Sequence, residues 1–492
     1  MTPPRDETQT LSTRDAFRRV FPGVMVAMFL AAADQTILAT ALPAIAAALG
    51  GLAELSWVVT AYLLAAAIAA PIYGRVGDYF GRRRMLLVAL GIFAAASAFC
   101  AVATSLPMLI VGRALQGLGG GGLMTLAQAM IGEHISPRER GRYQGYFAGM
   151  FAVASTFGPV IGGYLTEHLT WRAVFVVNLP LALVAVLLAL RLPPSPRMQD
   201  TKFRLDATGI VLFCLSTFAL LWGLSSFGHG DALRASLQLA AVAGALIGLA
   251  TLVWWELRVP MPIIPVRLLA QPLILRGDVV VMSFAGAFFP LVLYLPLYLQ
   301  LGRGFGIGTS GLLLLPITFS MVTGAIWTGR RVSKFGTPWR YPIQGLSLTA
   351  ACMVTLAILL PWLPVPAVVG LGMAAGLGVG HVMPACQVSI QSAAGREALG
   401  AAVGSISLSR SIGGALGTAL VGAVLFAALG HDRDVYAAVD RAVNLGVAAL
   451  SDAQRATLAA QLDTAFRAAF AAVAVIAGGG ALMATRVPRQ AI

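Results

Sequence analysis

The 492-residue sequence is poor in charge. Asp, Glu, Lys and Arg together make up 11% of it, against about 25% in soluble globular chains. That scarcity, with 58% apolar residues and a mean hydropathy of +0.83, excludes a soluble globular protein. Lysine is almost missing: only Lys202 and Lys334 occur, so the net charge of +14 rests on arginine. In a soluble chain that surplus would suggest nucleic acid. Here the arginines sit in short loops beside apolar runs, where they set membrane orientation, and no nucleic-acid partner is expected. The four cysteines (Cys100, Cys214, Cys352, Cys386) are scattered through apolar segments. They have neither metal-ligand spacing nor a disulfide framework, so they read as packing residues and no metal site is expected. No Walker motif occurs, so ATP is not the expected driver and no cofactor is implied. The first apolar run, Val20 to Gly50, is too long for a signal peptide, lacks a small-residue cleavage site and is followed at once by more spans.

What is present is a series of apolar runs. A helix needs about 20 apolar residues to cross the hydrocarbon. Fourteen candidates meet that measure, at 20–48, 54–74, 84–104, 106–131, 142–165, 172–191, 207–227, 235–257, 274–300, 309–331, 340–361, 365–390, 399–428 and 466–485. Every second loop is basic. Arg82, Arg83 and Arg84 lie between spans 2 and 3, Arg138, Arg140 and Arg142 follow span 4, and Arg330, Arg331 and Lys334 follow span 10. Alternation of this kind requires an even number of spans with both termini in the cytoplasm. Residues 1–19 then form a cytoplasmic tail, and 429–465 an external loop between spans 13 and 14. Ser451 followed by Gln454 is a capping-box pattern for a short helix in that loop.

GRVGDYFG (74–81) recurs in degraded form as GRRVSKFG (329–336), an offset of 329 − 74 = 255. The same offset carries Gly158 and Gly162 to Gly413 and Gly417. This suggests a duplicated six-helix unit, with residues 20–191 and 274–485 as the halves and a helix pair at 207–257 inserted between them. Internal repeats of this type are a plan of secondary transporters. At that offset Asp34 maps to Phe289 and Asp78 to Ser333, which would concentrate ionic chemistry in the first half.

Asp34 is the only formally charged residue between Arg19 and Glu54. An ionised carboxylate at mid-membrane costs at least ~2.5–3.5 kcal/mol and is functional by default. Burial and a nearby cation act on its proton in opposite senses, and a proton carrier needs an acid that exchanges near neutral pH. Arg113 is the natural partner. It lies about seven residues inside span 4 and Asp34 about fourteen inside span 1, which at 1.5 Å per residue brings both near the membrane centre.

Six motifs then carry a resemblance. ADQTILATALPAIA in span 1, WVVTAYLLA (57–65), GRVGDYFGRRRML (74–86), GRALQGLGGG (112–121), STFGPVIGG (155–163) and WRAVFVVNLP (171–180) resemble, in order, signatures of the major facilitator superfamily. More narrowly they are similar to its fourteen-helix drug:proton antiporters. Ala154 and Ala173 depart from the pattern, as does the lack of an acid in span 13. All six motifs lie in the first 180 residues; the second half matches by topology and by LYLPLYLQ (293–300).

The resemblance implies an all-α polytopic membrane protein of major facilitator fold, with two six-helix bundles plus two inserted helices. It implies that Arg113 faces the same cavity as Asp34 and tunes it. Asp78 would form a cytoplasmic gate with Gly74, Gly81, Arg82 and Glu133, facing a helix N-terminus in the other half. Gly158, Pro159 and Gly162 would bend span 5 and mark antiport. Cavity candidates are Trp57, Tyr62, Gln116, Asn178, Tyr294, Tyr298, Gln300, Gln344 and His381. Asp278 reads as interfacial in span 9, and Arg410, deep in span 13, has no evident partner. The implied activity is proton-coupled export of small amphipathic or cationic drugs by alternating access, across the bacterial cytoplasmic membrane and by a monomer. Alternatives are a dedicated exporter of a lipid, siderophore or self-made antibiotic, and a non-transporting sensor.

Overall fold

The computed structural model describes residues 20–49, 56–135, 137–192, 206–225, 232–259, 262, 266–305, 307–395, 398–429 and 452–488. The tail at 1–19, most of the loop after 429 including Ser451, and the loop residues Arg197, Lys202, Arg204 and Arg396 lie outside them. Among the described residues there is no strand.

Helices occupy every expected span. They are α1 (Phe21–Leu49), α2 (Ser56–Phe80), α3 (Arg82–Ala101), α4 (Leu106–His134) and α5 (Pro137–His168), then the short α6 (Ala173–Val176) leading into α7 (Asn178–Leu190). The inserted pair is α8 (Ala207–Ser225) and α9 (Ala232–Glu256), followed by a single turn, α10 (Val266–Leu269). The second half holds α11 (Pro272–Leu301), α12 (Ile307–Phe335), α13 (Arg340–Leu359), α14 (Val365–Gly380), α15 (Val382–Ala394), α16 (Leu399–Leu429) and α17 (Asp452–Thr485). Among the described residues, eleven stretches are long and apolar enough to cross a membrane. The three expected spans outside that set fall on α4, α5 and α8. The first of these is diluted by Arg113, Gln116 and a run of glycines.

Two boundaries differ from expectation. The GRVGD motif belongs to the last turns of α2, not to a loop, and the turn is confined to Gly81, whose φ of 93° suits glycine. At the other end, α17 starts at Asp452, so residues 452–465 continue span 14 instead of forming a separate loop helix.

The chain divides into two units. One comprises residues up to Arg140, Val153–Phe203 and Gly395–Gly404; the other comprises Gly141–Ala152, Arg204–Ala394 and everything from Ser405. In the first, α4 packs against α1, α2 and α3, and α7 closes on α1 and α3. Gly117 and Gly121 allow this: a Cβ on either would overlap the backbone carbonyls of Tyr62 and Ala66 in α2. Small residues at such contacts are how membrane helices approach closely. In the second unit, α13 and α11 pack on α17, and α12 and α13 on α14.

The inserted pair belongs to the second unit. Leu220 of α8 and Ala245 of α9 pack together against Ile412 and Ala415 of α16. Asp206 caps α8 through the Gly209 amide at 2.8 Å and receives the Trp255 indole N–H at 3.0 Å, so one carboxylate ties both ends of the hairpin.

The repeat survives, but its register changes. Gly158 and Gly162 of α5 press on Thr36 and on Ile37 and Thr40 of α1, and Gly413 and Gly417 of α16 press on Met282 and Gly286 of α11. The shift between α1 and α11 is therefore 282 − 36 = 246, and 286 − 40 gives the same value. Asp34 corresponds to Val280, not to Phe289. The sequence offset of 255 fails there because the segments between the repeated motifs differ in length. Phe289 packs instead over Gly414.

Candidate functional site

The interior of the first unit holds a polar network in an apolar setting. Asp34 of α1, Arg113 and Gln116 of α4, Asn178 of α7 and Ser97 of α3 are each at most 2% exposed. The four elements that carry them pack on one another, α4 and α7 each against α1 and α3. Arg113 Nη1 donates to Asp34 Oδ2 at 2.7 Å and to Gln116 Oε1 at 2.5 Å. The other carboxylate oxygen, Oδ1, accepts from Gln116 Nε2 at 2.8 Å and from Asn178 Nδ2 at 2.7 Å. Gln116 Nε2 also reaches Ser97 Oγ at 2.7 Å. Arg113 Nε donates to the Val58 carbonyl at 3.1 Å, and the guanidinium lies 4.4 Å from the centre of the Tyr62 ring.

Both carboxylate oxygens thus meet donors, and the guanidinium is held by a carboxylate, an amide, a backbone carbonyl and a ring face. Buried pairs survive only when the remaining donors and acceptors are also matched. Removing one partner of such a pair costs about 3–5 kcal/mol because the other charge is left unpaired. One polar atom stays unmatched: Asn178 Oδ1 has no donor among the described residues.

Sequence reasoning paired Asp34 with Arg113 and ranked Gln116, Asn178 and Tyr62 as cavity candidates only. The structure joins all five. It also adds Ser97, which sequence reasoning missed. The signal was available, because Ser97 is the only hydroxyl in α3 and the only polar side chain from Met85 to its end. Ser97→Ala is expected to leave the Asp34–Arg113 pair intact and to lower stability by ~1 kcal/mol. A thermal melt of the purified variant reads this, and an unchanged melting temperature would argue against the network as drawn.

A second cluster sits where α2 ends. Asp78 Oδ1 accepts from Arg82 Nη2 at 2.6 Å, and Arg82 Nη1 donates to Glu133 Oε2 at 2.8 Å. The same Asp78 carboxylate accepts the backbone N–H groups of Gly400 at 3.0 Å and Ala401 at 3.3 Å, the first turn of α16. Those amides are unsatisfied within their own helix, and a carboxylate there also meets the positive end of the helix dipole. Gly74, one turn before Asp78, touches the Gly400 carbonyl so closely that a Cβ on either residue would overlap the other's backbone.

Gly158 and Gly162 bring α5 onto α1 at Thr36, two residues from Asp34, and the Thr36 hydroxyl donates to the Ala154 carbonyl at 2.9 Å. Pro159 lies within α5, and its side chain is outside the described residues. Trp57 is half-buried at the start of α2. The remaining cavity candidates do not form one cluster. The Tyr294 hydroxyl donates to the Thr418 carbonyl, Tyr298 receives Arg303 Nε at 2.8 Å, and Gln300 Nε2 donates to Ser310 Oγ at 2.8 Å. His381 bonds the Leu377 carbonyl, and Gln344 is exposed. These are separate structural bonds, and no hydrogen bond links one candidate to another among the described residues. No group of three or more potential metal ligands exists among the described residues.

Residues 24–418 match the family described as "Major Facilitator Superfamily". The chain is 34% identical over 412 residues to a multidrug transporter protein, MdtP, of Bacillus subtilis, covering 83% of this chain and 75% of that protein. It is 32% identical over 443 residues to the tetracenomycin C resistance and export protein of Streptomyces glaucescens, covering 87% and 80% respectively. Its fold is similar to that of the human organic anion transporter MFSD10, with a TM-score of 0.64 at 17% identity over 95% of this chain and 99% of that one.

Proposed function

Because the chain belongs to the major facilitator superfamily, a family of membrane transporters, we propose that it is a proton-coupled exporter of small amphipathic or cationic drugs. The Asp34 network is the observation that carries this reading. A carboxylate buried among an arginine and two amides has no role in packing that an apolar residue would not fill better.

The network suits exchange of a proton for a drug. With Asp34 ionised, Arg113, Gln116 and Asn178 all donate to it. A proton arriving at Oδ1 replaces one of these donors. Rotation of the Asn178 side-chain amide then presents its unmatched Oδ1 as the acceptor for the new O–H, since an amide offers both donor and acceptor. Arg113, released from the charge, keeps Gln116 Oε1, the Val58 carbonyl and the Tyr62 ring. A cationic or hydrogen-bonding drug competes for the same carboxylate and drives the proton off. One charge moved through 100 mV supplies about 2.3 kcal/mol, roughly a 50-fold drug gradient.

Alternating access then needs a contact that forms and breaks. The Asp78 cap on α16 has the required character: it is made of a few hydrogen bonds, buried, and independent of the Asp34 network. The names of the relatives support export of drugs, and tetracenomycin export supports the second reading, a dedicated carrier of one natural product. Everted membrane vesicles separate the two. Under an imposed pH gradient, the exporter moves several chemically unrelated amphipathic cations and neutral compounds, whereas a dedicated carrier moves one class. No movement of any compound would defeat both. The expected setting is the cytoplasmic membrane with both termini inside and fourteen crossings, acting as a monomer and without a cofactor.

A further inference from the structure

The helix that Asp78 holds is held by a second carboxylate. Asp278, on α11, is 8% exposed and is hydrogen-bonded by the hydroxyls of Ser405 and Ser409 on α16. Its Oδ1 is buried and has no hydrogen-bond partner among the described residues. Asp78 binds the amides of Gly400 and Ala401, and Ser405 lies one turn further along α16. The division between the two units of the fold falls between Gly404 and Ser405. Asp78 therefore bonds the stretch of α16 that belongs to the first unit, and Asp278 the stretch that belongs to the second.

The surroundings of Asp278 differ from those of Asp34. No arginine, lysine or histidine forms an ion pair with it among the described residues. From α15 the titratable group beside it is the Cys386 thiol; α16 contributes the Ser405 and Ser409 hydroxyls and also carries Arg410, the residue after Ser409, which makes no ion pair with Asp278 among the described residues. On its own helix, Arg276 bonds the Arg486 carbonyl at 2.5 Å. Asp34 has donors on both oxygens; Asp278 has one oxygen left open in a buried place. The corrected repeat register makes Asp278 the equivalent of residue 278 − 246 = 32 in α1, within a turn of the Asp34 position. The second half thus has its own acid near the repeat-equivalent position, which the sequence offset had concealed.

We propose that Asp278 is a second proton-exchange residue, acting through the Ser405 and Ser409 hydroxyls on the grip that α11 has on α16. In this step a hydronium gives its proton to Asp278 Oδ1 and leaves as water. The two hydroxyls, which donate to the ionised acid, lose part of their hold as its charge is neutralised, and α16 loosens from α11. Deprotonation restores the grip. The proposal rests on the proton-coupled reading, since it assigns a second proton to the same cycle.

Two measurements on the full-length protein test it. Infrared difference spectra of purified protein between alkaline and acidic buffer should contain a protonated-carboxyl C=O band that is missing in Asp278→Asn. The band should shift in frequency, without vanishing, in the Ser405→Ala/Ser409→Ala double variant. In proteoliposomes, Asp278→Asn should bind tetraphenylphosphonium like the wild type but accumulate it about 50-fold less at 100 mV, the loss of one coupled charge. Identical spectra for wild type and Asp278→Asn, or an unchanged accumulation ratio, would overturn the proposal, as would a band indifferent to loss of both serines. If the wild type moves no tetraphenylphosphonium under any gradient, the exporter reading fails, and the infrared band alone decides whether Asp278 exchanges a proton.

Discussion

Replacing Asp34 by asparagine is expected to abolish proton-driven drug accumulation in everted vesicles while the protein stays folded. Asparagine has the same shape, and the site can accommodate it. Its carbonyl still accepts from Arg113, and its NH2 meets the Asn178 carbonyl once that amide rotates, because Asn178 Oδ1 is unmatched. Gln116 keeps Ser97 as an acceptor at 2.7 Å. Arg113 loses a charge partner but not its hydrogen bonds, so destabilisation falls below the ~3–5 kcal/mol that a complete loss of the partner would cost. What the variant lacks is a group that exchanges a proton. Loss of such a group typically costs ~10²–10⁴-fold in rate, and here it removes the coupling itself. Exchange of a neutral, hydrogen-bonding drug without a gradient should persist, because the asparagine amide still offers hydrogen bonds to it, which separates lost coupling from lost binding. Gradient-driven accumulation at the wild-type level in Asp34→Asn would show that the network is a structural anchor. Asp34→Ala is a poorer test, because it leaves Arg113 buried and unpaired.

The fold was legible because membrane helices announce themselves by length, apolarity and flanking arginines. Each expected span coincides with a helix, although among the described residues only eleven satisfy a strict measure of apolarity. The pairing of Asp34 with Arg113 followed from their depth alone, since two opposite charges at one level in lipid have few other partners. The rest of the network was less visible. Gln116 and Asn178 are ordinary polar residues in sequence; the glycine-permitted approach of α4 to α2 and α3 turns Gln116 onto the carboxylate, and the packing of α7 on α1 and α3 brings Asn178 to it. The α2 boundary was misread because GRVGD contains two glycines and charges, which look like a loop. Its glycines serve contacts instead, and only Gly81 makes the turn. Register between distant halves was the least legible feature. An offset measured in a loop motif does not carry across segments of different length, so Asp34 was matched to Phe289, and Asp278 read as interfacial in span 9.

The largest effect expected outside the proton site is at Gly74. A β-carbon there would overlap the Gly400 carbonyl, and a backbone atom cannot turn aside as a side-chain tip can. In Gly74→Val the first turn of α16 must move away from α2, and Asp78, four residues along the same face, then loses the Gly400 and Ala401 amides. Overpacking costs ~1–3 kcal/mol and loss of a helix cap ~0.5–2 kcal/mol. A combined penalty of about 2 kcal/mol lowers the population of the capped arrangement roughly 30-fold. The Asp34 network is untouched, and Arg82 still pairs with Asp78 and Glu133, so the protein should fold and bind drug. Transport should fall by an order of magnitude or more, because a cycle that passes through the capped arrangement is slowed in proportion to its scarcity. Gly74→Ala should be milder, since a single methyl needs a smaller retreat. A cysteine placed at Ala401 reports the same event: it should react with maleimide faster when Gly74 is valine. Wild-type transport by Gly74→Val, with unchanged labelling at position 401, would mean that the Asp78 cap is not a required stage of the cycle.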